Sequence, residues 1–147
     1  MTAPRTTPIV EAIHAPAPFD TAWFDTVFLV PHPPEQWPEV FAIVTANNPG
    51  GRVQPEADNS LSERELDDYL RRQGLVSFAV VGASPDLRHR EAGRGFAIGD
   101  PAVAARVAAR FGQQGFFWVE AGVVFICVDD SGKGWTVARW EERLVPR

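Results

Sequence analysis

Five apolar residues in a row, Val40-Phe41-Ala42-Ile43-Val44, run straight into Thr45-Ala46-Asn47-Asn48-Pro49-Gly50-Gly51. The first half suits a buried strand. The second half stops any regular element, because proline lacks a backbone donor and glycine accepts left-handed dihedrals that other residues resist. A strand buried on both faces needs sheet around it and cover above it, so the rest of the chain must supply both.

The segments that follow do so in a definite order. Asn59 or Ser60 is placed to cap a helix running to about residue 73, with Ser60 and Glu63 spaced as a capping box and Gly74 as the stop. Leu61, Leu66, Tyr69 and Leu70 fall near one face of that helix. A strand over 75–81 ends in Gly82-Ala83-Ser84-Pro85-Asp86, and another over 91–98 is expected to bend or bulge at Gly93 and Gly95. Asp100-Pro101 opens an alanine-rich helix that Gly112 closes. Strands over 115–120 and 123–129 flank Ala121-Gly122, and a turn from Asp129 to Gly134 leads into a last strand over 135–140.

From Val40 onward the order is β-α-β-β-α-β, the split arrangement of two-layer α+β domains. The expected fold is therefore a mainly antiparallel sheet with two helices packed on one face, extended by extra strands at each end. One extra strand is expected over 23–30, stopped by Pro31-His32-Pro33-Pro34. Residues 1–18, rich in Ala, Pro and Thr, read as a flexible leader with a short docking segment around Ile9 to Ile13, and residues 19–147 as one domain.

Charge and cysteine usage remove several functions. The net charge is −5 and Lys133 is the sole lysine, which disfavours a duplex-DNA binder that must replace counterions with a basic face. Cys127 is the only cysteine and sits in an apolar strand, so no internal disulfide can form and a buried, inert thiol is expected. No apolar run approaches the ~20 residues of a membrane span, and a soluble, cytoplasmic protein without membrane contact is expected.

Three pieces of sequence carry polar chemistry. Thr45, Asn47 and Asn48 read either as a strand exit with Asx turns or as a cradle in which amides and exposed backbone N–H groups hold a polar ligand. No Walker loop is present, because Gly-Lys-Ser/Thr is missing. His89 and Glu91 stand two apart in extended backbone and so share a face, where they would form an acid–base pair or lie on a solvated loop. Arg88, Arg90 and Arg94 surround them as anion holders. Gln113, just past the second helix, would bond a terminal carbonyl or a substrate. Two candidate ligands are too few for a metal site, so no metal or other cofactor is expected. Asp129 and Asp130 lack the spacing of a calcium loop and read as a hairpin turn, and the tryptophans read as core.

Taken together, Phe41 through Pro49, Asn59, His89-Arg90-Glu91-Ala92-Gly93-Arg94-Gly95-Phe96 and Arg110-Phe111-Gly112-Gln113 resemble the bacterial family called domain of unknown function 3293. The resemblance covers roughly residues 20–128. Members of that family often carry an aromatic residue where this chain has Asn47. The resemblance implies a small bacterial cytosolic protein and no assigned activity.

The expected function is a non-catalytic module that binds a small polar ligand or a partner segment. Thr45, Asn47, Asn48, Asn59, Arg90 and Gln113, with Glu91 beside them, would line its site. The alternative is a small metal-independent hydrolase or RNase with His89 and Glu91 as its acid–base pair. A third reading is a protein–protein adaptor that uses an exposed sheet edge.

Overall fold

The computed structural model describes residues 9–11 and 17–146. Its strands are β1 (Val10–Glu11), β2 (Val27–Leu29), β3 (Val40–Thr45), β4 (Ser77–Ala83), β5 (Arg90–Ala97), β6 (Phe116–Glu120), β7 (Val123–Cys127) and β8 (Lys133–Arg139). Its helices are α1 (Glu56–Arg72), α2 (Pro101–Arg110) and the short α3 (Trp140–Arg143). All strands join one sheet in the order β1-β8-β7-β6-β3-β5-β4-β2. Seven of them pair antiparallel, and β1 adds to β8 in parallel through Val10 and Glu11. The chain is mixed α+β, and the antiparallel sheet is curled.

Both helix stops follow from the glycines that end them. At the end of α1, Gly74 takes φ 75°, while its N–H reaches Arg71 O and Leu75 N–H reaches Leu70 O. At the end of α2, Gly112 takes φ 67°, with its N–H on Ala109 O and Gln113 N–H on Ala108 O. Each pair of bonds satisfies the last carbonyls of its helix through one left-handed residue. Asp100 accepts from Ala102 N–H at 2.9 Å and starts α2 as expected.

Several boundaries differ from the expectation. Helix α1 starts at Glu56, with Pro55 at the capping position and Glu56 and Asp58 in the first turn. Asn59 and Ser60 therefore lie inside the helix and the Ser60–Glu63 box does not form; acids near the N-terminal dipole favour the earlier start. The segment expected as a strand over 23–30 divides into a 3-10 turn over Thr21–Asp25 and β2, because Asp20 caps that turn on Ala22 N–H. β4 runs two residues later than expected, to Ala83. Trp140 opens α3 instead of ending a strand, with Glu142 Oε1 accepting from Arg139 N–H at 3.2 Å.

The glycines of β5 do not bulge. Gly93 pairs regularly with Thr45 and Gly95 with Ile43. They permit close approach instead: a Cβ on Gly93 would stand 2.6 Å from Val44 O, and one on Gly95 2.5 Å from the Phe78 ring. The register shift falls between β7 and β8, at Val124 and Phe125.

Alternation along β3 sends Phe41 and Ile43 to one face and Ala42 and Val44 to the other. Phe28, Val80, Val119, Val124 and Trp140 join the first set. Leu66 and Leu70 of α1, Ala104, Val107 and Ala108 of α2, and Trp118 join the second. Ile9 is buried in the second cluster too, and Val10 and Glu11, also in the segment expected as leader, pair with β8. The rest of the docking segment proposed around Ile9 to Ile13, residues 12 and 13, lies outside the described residues.

The far ends of the sheet are tied by the C-terminal tail. Leu144 bridges Phe28, Val145 N–H donates to Phe28 O at 2.8 Å, and Arg143 Nη1 donates to Phe24 O and Thr26 O.

Candidate functional site

The loop after β3 is held by two sets of side-chain amides. Asn48 takes a left-handed backbone (φ 48°) that amide residues tolerate, and this turns it toward α1. Its N–H donates to Asn59 Oδ1 at 2.9 Å, and Asn59 Nδ2 returns a bond to Asn48 Oδ1 at 3.1 Å. Gln54 adds two more, from its N–H to Asn48 Oδ1 and from Nε2 to Asn59 Oδ1. On the other side, Thr45 Oγ1 donates to Gln113 Oε1 at 2.9 Å, while Gln113 Nε2 donates to Asn47 O and Phe111 O. Gly50 N–H reaches Gly112 O at 2.7 Å. The loop is thus clamped between the first turns of α1 and the end of α2.

Thr45, Asn48, Asn59 and Gln113, expected at a ligand, are engaged with one another and with the backbone. Both lone pairs of the Asn48 and Asn59 amide oxygens have a partner here, which leaves little for a ligand. Asn47 differs. It is buried, and its Oδ1 has no hydrogen-bond partner among the described residues. A buried unpaired amide oxygen costs about 1–3 kcal/mol. Asn47→Leu is therefore expected to keep or raise the urea midpoint, with a gain of up to about 1 kcal/mol. A loss larger than that would reveal an ordered water bonded to this amide.

His89 and Glu91 do meet, with Nε2 and Oε2 3.1 Å apart, on the hairpin that joins β4 and β5. The histidine side chain is 66% exposed and the glutamate 31%. Arg90 lies beside them but donates its Nε to Leu87 O, shaping the turn. Arg94 points back to α1, bonding Ser77 Oγ and pairing with Asp67 at 3.4 Å. Among the described residues, no hydrogen bond or ion pair joins the His89–Glu91 pair to the amide clamp. Since Arg90 and Arg94 have other partners, removing the Glu91 charge strands no buried cation. Glu91→Gln should stay within about 1 kcal/mol of wild type in a urea melt.

An open cleft of about 420 Å³ lies beside the clamp, lined by Glu65, Asp68, Tyr69 and Arg72 of α1 and by Arg110 and Phe111. The Arg110 guanidinium carbon sits 4.6 Å from the centre of the Tyr69 ring, and Phe111 meets that ring edge-on at 5.9 Å. The clamp fixes this wall, because Gln113 Nε2 holds Phe111 O at 3.1 Å. The expectation for the site missed this cleft. Its lining residues are ordinary helix-surface types, and only the Arg110-Phe111-Gly112-Gln113 run gave a signal.

The sequence model of a family described as "Protein of unknown function (DUF3293)" matches residues 44–115. Over that stretch the chain belongs to this family. The DUF3293 stretch is narrower than the resemblance over 20–128. It begins at Val44, ends at Gly115, and contains every residue of the amide clamp and all six that line the cleft. β1, β2, β6, β7 and β8 lie outside it. No curated protein and no solved structure matches the chain.

Beyond the DUF3293 stretch, Cys127 is buried, and burial, with Asp129 and Glu120 adding to it, pushes its thiol up to about 12. The thiol stays protonated at neutral pH and is no nucleophile. Among the described residues no three His, Cys, Asp or Glu side chains are grouped to hold a metal ion. No helix there is long and apolar enough to cross a membrane.

Proposed function

We propose that the chain is a non-catalytic cytosolic module that binds a small polar ligand or partner segment in the cleft between α1 and the end of α2. The observation that carries this reading is the set of uncommitted charges there. Among the described residues, the side chains of Glu65, Arg72 and Arg110 make no hydrogen bond or ion pair, while Tyr69 and Phe111 provide aromatic surface beside them. About 420 Å³ falls within the size of small-molecule sites. On this reading Thr45, Asn48, Asn59 and Gln113 act from behind the site, fixing the loop and the Phe111 wall. The frame is a two-layer α+β domain with both helices on one sheet face, supported by the apolar cluster that Leu66, Leu70, Ala104 and Val107 share with Ala42 and Val44.

A thermal-shift screen of the whole chain against amino acids, nucleotides and short peptides tests the reading. A ligand that binds only the folded state raises Tm, and Arg110→Glu should abolish that rise. Binding that survives Arg110→Glu would move the site elsewhere.

The hydrolase or RNase reading rests on the 3.1 Å His89–Glu91 contact, the geometry an acid–base pair needs. Neither residue lines the 420 Å³ cleft. Hydrolysis lost in His89→Ala would establish it.

A further inference from the structure

The cleft is lined by two arginines and two carboxylates, Arg72 and Arg110 with Glu65 and Asp68. Arg110 rests on the Tyr69 ring, which engages the π face of the guanidinium and leaves its N–H donors for an acceptor in its own plane. Arg72 lies on the same cleft wall as Tyr69 and likewise has no acceptor among the described residues. By contrast Arg71, one residue away, is taken up by Asp67 at 3.0 Å and Asp68 at 3.8 Å. The two arginines that face the cleft are therefore the donors that α1 and α2 leave open to it. Opposite in sign, Glu65 and Asp68 stand three residues apart and so on one face of α1. Glu65 is unengaged, and Asp68 has only the long, exposed contact with Arg71. Phe111 closes the cleft with an aromatic surface.

Two donors for a carboxylate, two acceptors for an ammonium and an apolar wall match one small-molecule class. Resting on the binding reading above, we propose that the cleft takes a free α-amino acid as its zwitterion. Arg72 and Arg110 hold the carboxylate, Glu65 and Asp68 hold the ammonium, and the side chain lies on Phe111. A bare anion leaves the two carboxylates uncompensated, and a bare cation leaves the two arginines so, which gives the zwitterion its advantage over either. The volume suits an occupant of this size.

The test is an amide-NMR titration of the whole chain with phenylalanine, phenylalaninamide, N-acetylphenylalanine and inorganic phosphate. Phenylalanine should shift the signals of residues 65–72 and 110–111. Its amide and its N-acetyl form, each lacking one charge, should bind about tenfold more weakly or worse. Arg110→Gln should weaken phenylalanine to a similar degree, and a urea melt of that variant shows whether its fold is intact. Equal shifts from N-acetylphenylalanine or phosphate would overturn the zwitterion while leaving the cleft an anion-binding site. No shift at these residues with any probe would overturn both the ligand class and the binding site.

Discussion

Replacing Gly112 with alanine is expected to cost about 2–4 kcal/mol of stability, the sum of left-handed strain and overpacking. Gly112 takes φ 67°, which disfavours any residue with a Cβ. The added methyl carbon would also stand 2.9 Å from Pro49 Cβ, in a loop that is bonded on both sides and cannot withdraw freely. Gly112 O accepts from Gly50 N–H at 2.7 Å, so any rotation that relieves the clash breaks a clamp bond. Urea denaturation followed by tryptophan fluorescence measures the loss. Gly74→Ala is the control: φ is 75° there, but its Cβ would meet nothing within 4 Å. It should lose only the left-handed strain, about 1–2 kcal/mol. Equal losses for the two variants would show that Pro49 moves aside and that the clamp is loose.

Gln113→Leu is expected to cost about 2–3 kcal/mol and to weaken ligand binding at the cleft as a secondary effect. The replacement keeps the bulk of the side chain but removes three bonds at once. Thr45 Oγ1 loses its acceptor, and Asn47 O and Phe111 O lose their donor, all in a part-buried setting. Those groups do not all reach water, so each bears part of its desolvation cost. The measurement also separates two roles for Gln113. A residue that contacts ligand would lose affinity with its melting midpoint unchanged; a clamp residue loses midpoint first. Lost affinity with an unchanged urea midpoint would place Gln113 at a ligand after all.

Much of the fold was legible because its signals are local. Asp100-Pro101, Gly74, Gly112 and the Ala121-Gly122 turn each act within a few residues, through capping bonds or positive φ, so a short stretch of sequence is enough to place them. The β-α-β-β-α-β order followed from them. The misread boundaries arose where several local signals competed. Ser60 and Glu63 have the spacing of a capping box, yet the acids of Glu56 and Asp58 begin α1 earlier, and Asn59 is drawn into the amide clamp. The glycines of β5 suggest a bend or a bulge, and no bulge forms. Their reason is cross-strand: Gly93 faces the Val44 carbonyl and Gly95 the Phe78 ring, neither of which is a neighbour in sequence.

The candidate site divides in the same way. Residue type alone marked Thr45, Asn48, Asn59 and Gln113 as polar groups with work to do, and His89 with Glu91 as a pair sharing a strand face. What those groups bond was decided by tertiary structure, since Thr45 meets Gln113 across 68 positions and Asn48 meets Asn59 across 11. Amides offer donors and acceptors in equal measure, so they satisfy one another whenever the fold brings them together, and sequence cannot say whether the partner is protein or ligand. The cleft depends wholly on how α1 lies against the end of α2, which sets Arg110 on Tyr69. The tie between Phe28 and Leu144 likewise exists only because the sheet curls until its ends approach. Local backbone preference determined the elements and their stops; long-range packing, which no short window of residues contains, decided which polar groups remain open to solvent.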